Sequence, residues 1–260
     1  MRKSQLFDLK AIDYNRRQEE IYNRYAKITR AGCLFPLCSM PAFHIKFKDR
    51  FAAGEILASV LNNYKNHREG VAVIGIARGG VVVADAIAEK LHSDFDIIVP
   101  RKIRSPYNSE EAIGAIMHDG SVYLNTSTLK TQHNISDEYI EMEKSEQQKE
   151  IERRLNIYRP NPREYKIKDR IVILVDDGIA TGATVIAAAR WIRKYKPRQL
   201  IIAAPVAPKQ VVKSLKYEAD QVEVLRNPSD FKAVDQFYQH FAAVFDNQIV
   251  EIAKRRETNF

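Results

Sequence analysis

The sequence predicts an α/β fold: a doubly wound, mostly parallel sheet. Three observations predict it. Two short apolar runs, Val71–Ile76 (VAVIGI) and Ile171–Val175 (IVILV), are continuous rather than alternating, as strands buried on both faces of a parallel sheet are. Each run ends in a short turn, Ala77-Arg78-Gly79-Gly80 or Asp176-Asp177-Gly178, that leads into helical spacing of apolar residues. Further β-type runs at Phe95–Val99 and Leu200–Val206 alternate with helical segments, which is the pattern of βαβ units.

Residues 1–46 read as an N-terminal helical extension and 47–260 as the domain. Over residues 1–30, Ile12, Ile21, Tyr25 and Ile28 fall near one helical face, opposite Arg16, Arg17, Glu19, Glu20 and Arg24. Such a stripe must be buried somewhere, on the domain or in a dimer contact, and a homodimer is expected. Residues 31–45 are apolar with two prolines and read as an irregular covering segment. A helix is expected from Asp49 to Tyr64, with Phe51, Ile56, Leu57, Val60 and Leu61 inward. The helix after Gly80 carries Val83, Ile87 and Leu91. Behind the strand Phe95–Val99 come Pro100-Arg101-Lys102 and a polar loop, Ile103 to Ala112. Ile113–Met117 and Ser121–Leu124 flank His118-Asp119-Gly120, a hairpin signal. Residues 134–158 form a long charged helix capped by Asn134 or Ser136, part of a helical insertion near 134–160. Its sparse stripe is Ile140, Ile151, Leu155 and Tyr158, and no catalytic role is read into it. A helix over Val185 to Lys194, another over Lys209 to Tyr217, a short edge strand at Val222–Leu225 and a helix over Asn247 to Arg255 complete the chain. Residues near 220–260 form a small C-terminal region.

Composition sets outer limits. With 45% hydrophobic and 28% charged residues, the chain is of soluble globular type. No apolar run approaches a bilayer span and none follows Met1-Arg2-Lys3, so no membrane partner is expected and a cytoplasmic location is. Cys33 and Cys38 make no disulfide framework, and with His44 they lack the paired spacing of a zinc site. The net charge of +8 concentrates in residues 1–50, with 11 basic and 5 acidic side chains, and in 151–200, with 12 and 5. Solvated helix faces account for most of it, and nucleic acid is not the expected partner.

The chemistry gathers at strand ends. In open α/β sheets ligands bind beyond the carboxyl ends of the strands. After Ile171–Val175 come two carboxylates, Asp176 and Asp177, then Gly178-Ile179-Ala180-Thr181-Gly182-Ala183-Thr184 and a helix. A helix start offers free N–H groups and partial positive charge, Gly182 permits close approach, and Thr181 and Thr184 add hydroxyls. That makes half a phosphate cradle beside acids able to accept from a sugar diol. A Walker A loop would need Gly-Lys-Ser/Thr, where this chain has Gly182-Ala183-Thr184. A dinucleotide fingerprint would place its glycines before the acid.

Strand, two acids and a Thr-Gly-x-Thr loop resemble the motif that binds 5-phosphoribosyl 1-pyrophosphate (PRPP) in type I phosphoribosyltransferases. The resemblance runs from about Phe47 to Val250, through FKDRFAAGEILASVL, ARGG, RKIRSPYNSEEAIGAIMHDG, VDDGIATGAT, APVAP and FKAVDQFYQHF. It is greatest to a branch of predicted phosphoribosyltransferases without an assigned acceptor. It implies that Asp176 and Asp177 hold the ribose hydroxyls, and hold Mg²⁺ mostly indirectly, through PRPP and water. Ala180, Thr181, Gly182, Ala183 and Thr184 would form the 5-phosphate loop. Ala77, Arg78, Gly79 and Gly80 match the pyrophosphate loop, in which a cis peptide at Ala77–Arg78 is expected. Arg101 and Lys102 resemble the Arg-Lys pair of orotate phosphoribosyltransferases and would face the leaving pyrophosphate. The β-hairpin corresponds to the lid that closes over PRPP, the C-terminal region near 220–260 to a small hood, and Phe231, with Tyr238 in reserve, would meet the acceptor base. The implied activity is transfer of the 5-phosphoribosyl group of PRPP to a nitrogenous acceptor with release of pyrophosphate. The alternative is a non-catalytic PRPP-binding regulator, with nucleic acid as a further contact through the basic extension. Two departures stand out. Ala180 replaces the aspartate with which 6-oxopurine enzymes handle the purine N7 proton, and Arg104 and Tyr107 replace the two glycines of the branch's usual lid.

Overall fold

The computed structural model describes residues 46–67, 70–108, 111–131, 135–161 and 164–258. The chain divides into two units, Met1–Phe47 and Lys48–Phe260, and every element below belongs to the second. The helix expected over 1–30, Cys33, Cys38, His44 and the alternative cap Asn134 lie outside the described residues.

The strands are β1 (Val71–Ile76), β2 (Asp94–Ile98), β3 (Arg101–Arg104), β4 (Ala112–Ile116), β5 (Val122–Leu124), β6 (Ile171–Val175), β7 (Gln199–Val206) and β8 (Gln221–Arg226). The helices are α1 (Arg50–Val60), α2 (Gly79–Leu91), α3 (Thr126–Thr131), α4 (Asp137–Tyr158), α5 (Ala183–Lys194), α6 (Lys209–Leu215) and α7 (Asp246–Thr258). Helix α1 begins where the Asp49 side chain accepts from the Ala52 amide at 2.8 Å. It tightens into a 3₁₀ turn over Asn62–Tyr64, so the single helix expected there ends early.

Five strands form one parallel sheet in the order β2-β1-β6-β7-β8. The apolar runs are its centre, since β1 is buried along its whole length and β6 nearly so. Strand β8 is an edge, as its short apolar run predicted. From β1 the chain builds outward to β2 on one side and returns on the other as β6, which puts a topological switch point between β1 and β6. Register pairs Ile76 with Ile98 and Gly75 with Val175, so the three adjacent tips end nearly level. One core lies between the sheet and α1 and α2, around Leu57, Leu61, Val73, Ile87, Leu91, Ile173 and Ile201. A second joins β2, the smaller sheet, α4 and α7 through Ile97, Ile103, Ile113, Ile151, Tyr158 and Ile249. Asp85 on α2, with its side chain 3% exposed, pairs with Arg255 at 2.5 Å and Arg256 at 2.7 Å and so ties α7 to α2.

Two expectations are corrected. Arg101–Arg104 is a strand, not the start of a loop: it pairs antiparallel with β4, which pairs with β5, making a three-stranded sheet. Its Arg-Lys-Ile-Arg sequence holds one apolar residue, Ile103, and that residue is fully buried. The second correction concerns α4. Ser136 caps it by accepting from the Tyr139 amide, but its buried face is Glu143, Gln147, Ile151, Arg154 and Tyr158. Ile140 and Leu155 are only half-buried. The buried polar residues are satisfied by partners on β3 and within α4, which an apolar count cannot foresee.

Candidate active site

The acid pair stands at the β6 tip with both carboxylates constrained. Asp176 accepts from the Asp177 amide at 2.9 Å. Asp177 Oδ2 accepts from Arg50 Nε at 2.6 Å, and the Arg50 guanidinium lies 3.7 Å over the Phe241 ring. The Tyr238 hydroxyl donates to the Asp177 carbonyl at 2.6 Å. Burial, then the neighbouring Asp177 charge, raises Asp176 well above the usual carboxylate range, while Lys102 acts the other way. Arg50 was not picked out from the sequence. Its only signal was position, one residue past a helix cap.

The paired glycines are explained by how close the β1 turn lies to these acids. A Cβ on Gly79 would stand 1.8 Å from Asp177 Oδ2, and one on Gly80 would stand 2.7 Å from the Val175 carbonyl and 2.8 Å from Asp176 Cα. No other residue type fits without displacing the acid pair. The Ala77–Arg78 peptide is cis, as expected. In the phosphate-type loop, Gly182 has φ +84° and caps α5, and Gly182 and Thr184 at that helix start both line the cleft, where a helix offers unpaired first-turn amides.

Opposite the acids stands a group of cations. Burial, with Arg154, Arg104 and Arg78 nearby, lowers Arg101 from its usual value. Its Nε donates to Gln147 Oε1 at 2.9 Å. Arg78 lies 3.6 Å from Asp246, which also accepts from Tyr158 and Arg153.

These features line one cleft of about 420 Å³. Its walls include Ala77, Arg78, Gly79, Arg101, Lys102, Arg104, Asp176, Asp177, Ala180, Thr181, Gly182 and Thr184. Gly80 and Ala183 are not among the residues lining the cleft. Phe231 and Tyr238 do not line it. Phe231 stacks on Phe237 with 5.6 Å between centroids, and Tyr238 is 2% exposed beneath the acids. Val234 and Phe241, from the same C-terminal segment, line the cleft, together with Ile76, Pro100 and Ile179. A Cβ on Gly178 would stand 2.3 Å from Val234, which is why that side chain can lie so near the acids. Among the described residues, the lining holds no histidine and no carboxyl besides Asp176 and Asp177.

The sequence profile of the phosphoribosyl transferase domain matches residues 47–241. The chain belongs to that family. Proteins from two Mycobacterium tuberculosis strains, CDC 1551 and H37Rv, each provisionally named phosphoribosyl transferase, are 34% identical over 214 residues. That is 82% of this chain and 48% of theirs, so the chain spans about half the length of these curated relatives. The crystal structure of TT1426 from Thermus thermophilus is 36% identical, with a TM-score of 0.67, covering 81% of this chain and 99% of that one. The segment matched by the family profile contains the whole of the parallel sheet, the three-stranded sheet and the cleft-lining residues, so the site belongs to the phosphoribosyl transferase domain itself.

Proposed function

We propose that the cleft binds PRPP and transfers its 5-phosphoribosyl group to a nitrogenous acceptor with release of pyrophosphate. One observation carries the reading: the three level tips of β2, β1 and β6 bring cations, paired glycines, an acid pair and a helix N-terminus to one cleft. Each anionic end and the diol of one sugar thus has a matching group.

In this reading the first-turn amides of α5, with Thr181 and Thr184, hold the 5-phosphate. Asp176 and Asp177 accept from the 2- and 3-hydroxyls, and the Arg50 contact keeps Asp177 from swinging away. The Ala77–Gly80 turn, Arg101 and Lys102 take the pyrophosphate. As the C1–O bond breaks, its electron pair leaves with pyrophosphate, and these cations stabilise the growing charge. The acceptor nitrogen bonds C1 from the opposite side, with inversion, against Val234 and Phe241 rather than Phe231 and Tyr238. Two hard carboxylates without histidine or thiol beside them suit Mg²⁺ carried mainly by substrate oxygens. When bound, Mg²⁺ would supply further charge neutralisation on the pyrophosphate and ribose oxygens. Ala180 offers no proton acceptor, so the acceptor is one that needs no base at that position.

The test is a screen of bases and small amines for pyrophosphate release from Mg-PRPP. Turnover with at least one acceptor is expected. PRPP binding without turnover across the screen would favour the regulator, and no PRPP binding would remove both readings.

A further inference from the structure

We propose that Gln147 of α4 is a positioning residue for the leaving pyrophosphate, acting through Arg101; this rests on the PRPP reading above. Helix α4 carries no residue that lines the cleft, yet beside Ile151 and Tyr158 its buried face holds three polar residues, Glu143, Gln147 and Arg154. Gln147 is 2% exposed and Glu143 5%. The Gln147 amide carbonyl accepts from Arg101 Nε at 2.9 Å, and its Nε2 donates to Glu143 Oε1 at 3.1 Å. Glu143 Oε1 also accepts from the Arg104 amide at 3.2 Å, and the Tyr139 hydroxyl donates to the Arg104 carbonyl at 3.2 Å. Gln148 Nε2 donates to the His118 carbonyl at 2.8 Å, at the far hairpin turn. Side chains at 139, 143 and 147 share one helical face, since residues four apart are neighbours there, and they splint β3 from Arg101 to Arg104.

The chemistry explains why the residue beside Arg101 is an amide. Arg101 stands among the guanidiniums of Arg154, Arg104 and Arg78, and the nearby Glu150 carboxylate, itself bonded to Arg153 and Arg154, offsets only part of their repulsion, so an acceptor is needed to hold it in place. A carboxylate would hold it but would also cancel the charge that pyrophosphate needs. A neutral carbonyl on Nε fixes the plane of the guanidinium, leaves its charge intact and leaves the terminal nitrogens for the ligand.

Calorimetry tests this with two probes, Mg-pyrophosphate and ribose 5-phosphate, on the full chain. Gln147→Met keeps length and volume without the acceptor. It is expected to weaken pyrophosphate binding about tenfold, the loss of one charge-assisted hydrogen bond. Ribose 5-phosphate binding, which uses the acid pair and the α5 loop, is expected to stay unchanged. In an Arg101→Ala background the same substitution should add nothing. Lys149→Ala, at an exposed position of the same helix, is the control. If melting shows that Gln147→Met does not fold, Gln147→Asn withdraws the carbonyl by one methylene and is expected to give the same split. Equal pyrophosphate affinity in variant and parent, an equal loss for both probes, or additivity with Arg101→Ala would overturn the proposal. A parent chain that binds neither probe would instead remove the PRPP reading on which it stands.

Discussion

Gly80 shows how tightly single residues constrain this site. The backbone of the β1 turn packs directly on the backbone of the β6 tip, with no room for a methyl group between them. Gly80→Ala must therefore move main chain rather than a flexible side-chain end. A cost of about 1–3 kcal/mol is expected from overpacking, measurable by urea unfolding, together with weaker PRPP binding. An alanine variant of unchanged stability would show that the two tips are not in contact in solution. Gly79 differs in kind, because its neighbour is the Asp177 carboxylate, which Arg50 holds in place. Both glycines were legible as a turn in the sequence. That they serve close approach to a second strand tip was not, because the partner lies about 100 residues away.

At the scale of elements, α4 is the informative case. Glu150 bonds Arg153 and Arg154, and these bonds hold its carboxyl down from 4.5 to about 2 against the opposing effect of burial. A depressed carboxyl contributes stability that is present above its unfolded value and lost as pH falls through the folded one. The difference in melting temperature between the parent chain and Glu150→Gln is thus expected to be largest above pH 4.5 and to fade towards pH 2. A difference that is constant with pH would contradict the assignment.

The central strands β1, β6 and β7 and their helices were legible because burial on both faces demands continuous apolar runs. Where tertiary partners decide the structure, the pattern failed. β3 has one apolar residue and exists as a strand because β4 pairs with it. α3, with the sequence TSTLKT, has low helix propensity and no amphipathic signal. α4 is a helix as expected, and Ile151 and Tyr158 of its expected stripe are buried with Ile140 and Leu155 packed beside them, but the buried Glu143, Gln147 and Arg154 could not be foreseen from an apolar pattern. At the site, the acids, the glycines and the Arg-Lys pair were legible as motifs. Arg50, Val234, Phe241 and Gln147 were not, since nothing local distinguishes them from ordinary surface or core residues.

The whole molecule depends on ties between elements distant in sequence. Asp85 accepts from Arg255 and Arg256 on the last helix, about 170 residues away. Asp85→Ala would leave the buried Arg256 guanidinium only the more distant Glu89 carboxylate, at 3.5 Å, at a cost of about 3 kcal/mol. For a domain of this size that is a drop in melting temperature of roughly 6–12 °C, readable by calorimetric scanning. A shift of only a degree or two would mean that the pair is solvated in solution. Asp85, Arg255 and Arg256 do not line the cleft, so any Asp85→Ala protein that remains folded is expected to bind PRPP as the parent does.

For the cleft to work as proposed, one sugar, charged at both ends, must bridge the three strand tips with its hydroxyls on the acid pair. Isothermal titration of Mg-PRPP into the parent chain and into Asp177→Asn tests it most directly. One site per chain, weakened at least several-fold in the variant (about 1 kcal/mol or more), is the predicted result. Equal affinity in the two proteins, or no binding by the parent, would contradict it.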